Sequence, residues 1–118
     1  MEIQAKDLRE GNYVFEDVDE VKVSAMRIAV YNYAKGLIKP IPLTEEWLLK
    51  FGWGADSDFD NTYINNVGLK NEVMFYDTDN KVFLIETERD TIELSHIKHV
   101  HQLQNLYFAL TGEELTIK

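Results

Sequence analysis

Apolar residues along this chain follow three rhythms, and each predicts a different kind of element. Between residues 95 and 112 the spacing is helical. At about 100° per residue, Ile97, Val100, Leu103, Leu106, Tyr107, Phe108 and Leu110 fall within roughly 200° of the circumference, twice the ~100° stripe of a simple amphipathic helix. So wide an arc predicts a docked helix covered on both flanks, with Ser95 as its N-cap and Gly112 as the left-handed residue at its end.

From residue 72 to 94 the rhythm belongs to strands. Val73-Met74-Phe75-Tyr76 and Val82-Phe83-Leu84-Ile85 are joined by the turn formers Asp77-Thr78-Asp79-Asn80, and Thr91 to Leu94 adds a third strand. These strands are apolar on both parities, which predicts cover on each face of the sheet from helices, from the N-terminal strands or from a second subunit. A weaker strand is expected at Thr62 to Ile64, after a loop from Gly54 to Asn61.

The N-terminal third alternates differently. Gly11 to Phe15 reads as a strand, and the acidic turn of residues 16 to 20 leads into a second run, Val21 to Tyr31. That run changes phase: Val21 and Val23 are apolar on one parity, then Met26, Ile28 and Val30 on the other, which predicts a bulge or bend around Ser24 and Ala25. Leu37 to Ile41 follows, with Pro40, which has no amide to donate, at a sheet edge or strand end. Residues 8–43 therefore read as a β-meander, for which a curled SH3-like half barrel is one arrangement.

Between these regions a short helix over Glu45 to Phe51 is marked at both ends. Thr44 can cap it, Glu45 and Glu46 suit its positive end, Leu43 can staple onto Leu48, and Lys50 and Gly52 suit its close. The fold class expected is α+β: an N-terminal β-meander, a short helix, an antiparallel β-sheet, and a long C-terminal helix packed on that sheet. The 118 residues form a single domain, with a β-meander lobe at 8–43 and a helix–sheet–helix lobe at 44–118.

Composition narrows the function classes. A formal net charge of −9, with twelve Lys and Arg scattered singly, repels phosphate backbones, so no direct nucleic-acid binding is expected. There is no cysteine, which removes disulfides, thiolate metal sites and a cysteine nucleophile. The apolar runs are far shorter than the ~20 residues a spanning helix needs, and the N-terminus has no basic-then-apolar leader; a soluble, cytoplasmic chain with no membrane association is expected.

Candidate chemistry is sparse. His96, His99 and His101 are the natural metal suspects, but on one helix His96 and His99 lie about 60° apart while His101 is roughly 140–160° from either, so the three cannot share an ion. The weaker candidate is the His96 and His99 pair with an outside carboxylate, and no cofactor is expected. Asp56-Ser57-Asp58-Phe59-Asp60 opens like a calcium loop, yet Asn61 stands where glycine is needed and Val67 where a bidentate glutamate belongs, which excludes an EF-hand. Ser24, Ser57 and Ser95 lie in no nucleophile elbow, and Gly52-Trp53-Gly54 has no third glycine to cradle a phosphate. No catalytic residue is expected. The aromatic residues are the better guide: Trp47 and Phe51 belong in the core, whereas Trp53, between two glycines and with Phe59 and Tyr63 nearby, is the expected exposed contact.

Three motifs carry a resemblance: Asp7-Leu8-Arg9-Glu10-Gly11-Asn12, the stretch from Pro40 to Gly52, and the stretch from His101 to Gly112. In these the chain resembles a family of small uncharacterised proteins encoded in prophages and other mobile elements of anaerobic gut bacteria. The resemblance implies a mobile-element origin and an intracellular setting; it implies no activity, so it carries over no site residue. The functional expectation is a non-enzymatic module that binds another protein or itself. The alternatives are an acidic nucleic-acid mimic that blocks a host protein, and a small enzyme or metal-binding protein.

Overall fold

The computed structural model describes residue 3 and residues 5–33, 36–55, 62–65, 73–77, 81–86 and 89–117. After a 3-10 turn at Ala5–Asp7, strands β1 (Tyr13–Glu16) and β2 (Asp19–Lys22) form a tight antiparallel hairpin in which Val14 faces Val21 and Glu16 faces Asp19. Asp17 turns the corner at φ 58°, a conformation that short polar side chains tolerate. Strand β3 (Ile38–Lys39) pairs with the other side of β1, giving the order β2-β1-β3, and Pro40 follows directly as the strand end it was expected to mark.

The second run does not bend as a strand. It stops at Lys22, and residues Ala25–Tyr31 form helix α1. Ser24 is its N-cap in extended conformation, its hydroxyl accepting the Arg27 amide at 3.2 Å. The phase change around Ser24 and Ala25 is thus a switch from period 2 to period 3.6, which turns Ile28 and Tyr31 inward one turn apart.

Helix α2 (Glu45–Lys50) matches the sequence reading to within a residue: Thr44 accepts the Trp47 amide at 3.4 Å, and Gly52 follows at φ 88°. Strands β4 (Gly54–Ala55), β5 (Thr62–Asn65), β6 (Val73–Asp77), β7 (Val82–Glu86) and β8 (Thr91–Leu94) make a second antiparallel sheet in sequential order. Its β7 strand buries Phe83 and Ile85 on one face and leaves Val82 and Leu84 half-buried on the other, and Ile92 of β8, which faces Ile85, is exposed.

The C-terminal helix α3 (Val100–Thr111) starts later than its apolar spacing suggests. Ser95 lies in a turn, and His99 is the N-cap, its amide and that of Lys98 both given to the Gln102 side chain at 3.0 and 2.9 Å. Residues 97–99 instead run beside residues 41–43, with Val100 donating to the Ile41 carbonyl and Leu43 to that of Lys98. Ile97 is in the core without being helical. Gly112 closes the helix at φ 75°, as expected. The buried arc is Val100, His101, Leu103, Gln104 and Tyr107, whereas Phe108 and Leu110 are exposed: two polar residues lie deeper than two apolar ones.

Strand register places the first sheet between two cores. Residues that face each other across a ladder share a side. Val14, Val21 and Ile38 belong to one side, packed with Ile3, Ala5, Leu8, Val23, Tyr31 and the half-buried Ile28 of α1. Tyr13 and Phe15 point the other way, into the larger core of α2, α3 and the second sheet, where Tyr13 lies 5.4 Å from the Trp47 ring. The architecture is α+β, with two small antiparallel sheets and three α-helices among the described residues, and α3 packed on the sheet.

Candidate interaction surface

The deepest polar residues of the fold are structural. Gln104, fully buried on α3, accepts the Tyr13 amide at 2.8 Å and donates to the carbonyls of Gly11 and Leu115 at 2.9 and 3.2 Å. Beside it, Asn12 accepts the Arg9 amide and donates to Asn105, and Asn105 in turn accepts from Arg9 and donates to the Asp7 carbonyl. Arg9 also ion-pairs with Glu114 and lies 3.9 Å above the Phe108 ring, screening part of that side chain. The amides satisfy one another and the backbone around them, and they clamp the N-terminal segment onto α3.

The three histidines sit in three different settings. His96 sits in the turn before α3, His99 is the cap and His101 occupies the first turn, so the helical geometry assumed for His96 and His99 does not exist. The His99 and His101 rings are nearly parallel with centroids 6.0 Å apart. His101 is buried, and its Nδ1 has no hydrogen-bond partner among the described residues. Burial, and then the neighbouring His99, push its pKa down to about 4, so at neutral pH it is an uncharged imidazole. Among the described residues no three His, Asp or Glu side chains come together as a metal-binding group. The hollow beside them, of about 440 Å³ and lined by Asp7, His96, His101, Gln102 and Asn105, opens to solvent.

The expected aromatic contact is corrected by burial. Trp53 is only 2 % exposed and packs 5.7 Å from the Phe83 ring. Its glycine neighbours serve the backbone: Gly52 ends α2 and Gly54 opens β4. Phe59 lies outside the described residues, as does the side chain of Tyr63, whose backbone pairs with Tyr76 in β5. The acidic loop of residues 56–61, with Ser57, also lies outside them.

What the sequence reading missed is on α1. Its inner side buries Tyr31 and half-buries Ile28, while its outer side presents Met26, 79 % exposed, and Val30, 49 % exposed, one turn apart. Tyr33, 92 % exposed, lies in the turn that follows, where its amide donates to the Val30 carbonyl at 3.0 Å. The helix carries a single charge, Arg27, which ion-pairs with Glu16; the same carboxylate oxygen accepts the Tyr31 hydroxyl at 2.7 Å. Tyr31 first, and Arg27 with it, hold the Glu16 carboxyl below its ordinary range. Next to this end of the sheet, Val18 at the hairpin tip is 81 % exposed, and Leu37, 37 % exposed, accepts the Asp17 amide through its carbonyl. The signal was present in the sequence: read as a helix, Met26, Val30 and Tyr33 fall within about 60° of one another, opposite Ile28 and Tyr31.

The fold and this surface define a small α+β protein with an unpartnered apolar helix face. In comparisons with protein-family models, curated proteins and solved structures, nothing matches the chain. Among the described residues no helix is long and apolar enough to cross a membrane.

Proposed function

We propose that this chain is a non-enzymatic protein-binding module, of the phage or mobile-element origin its motifs suggest, which acts in the cytoplasm and docks its partner on the outer face of α1. The observation that carries this reading is the exposure of Met26 and Val30 on a helix whose only charge is neutralised from within the fold, with exposed Tyr33 in the turn that follows. Full burial of such side chains contributes roughly 1.5–3 kcal/mol each, and leaving several together in water is the usual mark of a surface that a partner covers. The acidic-mimic alternative asks for one continuous negative face. The exposed acids among the described residues belong to many elements: Asp7 and Glu10 near the N-terminus, Asp17, Asp19 and Glu20 in the hairpin, Glu45 and Glu46 on α2, Glu86 at the end of β7, Asp90 and Glu93 around β8, and Glu113 and Glu114 after α3.

The test compares the tagged chain with its Met26→Ser/Val30→Ser variant as baits in host lysate, with captured proteins identified by mass spectrometry. A stoichiometric protein held by the native chain and lost from the variant is the expected result. Equal capture by both, or capture by neither, removes α1 as the docking face.

A further inference from the structure

We draw no further inference here: the strongest candidate, the hollow at the start of α3 lined by Asp7, His96 and the buried His101, carries none, because the His101 Nδ1 that lacks a hydrogen-bond partner is itself closed off from solvent and no three metal-ligating side chains come together there among the described residues.

Discussion

Tyr13 gives its amide to the side chain of Gln104 at 2.8 Å, across 91 residues of sequence. Through that contact, and the bonds from Gln104 to Gly11 and Leu115, one buried amide ties together the first strand, the last helix and the C-terminal segment. Gln104→Leu keeps the volume but strands one amide hydrogen and two carbonyls. We expect it to cost at least about 2–3 kcal/mol, since each buried group left without a partner loses roughly 1–3 kcal/mol. Urea unfolding measures the loss. Asn105→Ala, at the half-buried rim of the same network, should cost less; equal costs would mean that the network acts as one unit.

His101 makes stability depend on pH in a defined window. Its folded pKa of about 4 lies below the ordinary value of 6.5, so between those limits the unfolded chain takes up the proton more readily. Stability from this group is intact above about pH 6.5 and falls as the pH drops toward 4, by up to about 3 kcal/mol. Urea midpoints at pH 7, 5.5 and 4.5 should therefore decline in the native chain and stay nearly level in His101→Leu. Glu16 adds a second loss at lower pH: its depressed carboxyl stabilises the fold above its unfolded pKa, and that contribution vanishes as pH falls through the folded value. A midpoint as flat in the native chain as in the variant would show that His101 is not held neutral by burial.

Ser24 shows how far the sequence could be read. The elements marked twice, by rhythm and by an end signal, are where they were expected: α2 between Thr44 and Gly52, the β6 and β7 strands, and the Gly112 end of α3. Within the run from Val21 to Tyr31, rhythm alone misled. The parity change after Val23 fits a bulged strand as well as a new helix, and only Ser24, an N-cap residue at the switch, distinguishes them. At α3 the reverse occurred: Ser95 looked like a cap, but pairing of residues 97–99 with 41–43 holds the chain extended until His99. Long-range pairing of that kind leaves no local trace. Ser24→Ala should cost about 1 kcal/mol, the usual loss for an N-cap serine, with reduced helical circular dichroism. No change in either would mean that packing of Ile28 and Tyr31 is sufficient to hold α1.

Surface and core were harder to tell apart than strand and helix. Flanking glycines suggested that Trp53 was exposed, yet they answer to the turn and the strand on either side of it, and the indole fills space against Phe83. Both tryptophans are thereby removed from water, Trp47 within α2 and Trp53 just after it. The native chain should show blue-shifted emission with little acrylamide quenching. Trp47→Phe, which leaves Trp53 as the sole emitter, should show the same. Because the Trp53 Nε1 has no partner among the described residues, Trp53→Phe gives up buried area but also relieves an unmade hydrogen bond, and its cost should stay below the roughly 3–5 kcal/mol of a truncation to alanine. Red-shifted, readily quenched emission from Trp47→Phe in a folded chain would return Trp53 to the surface and reopen it as a contact residue.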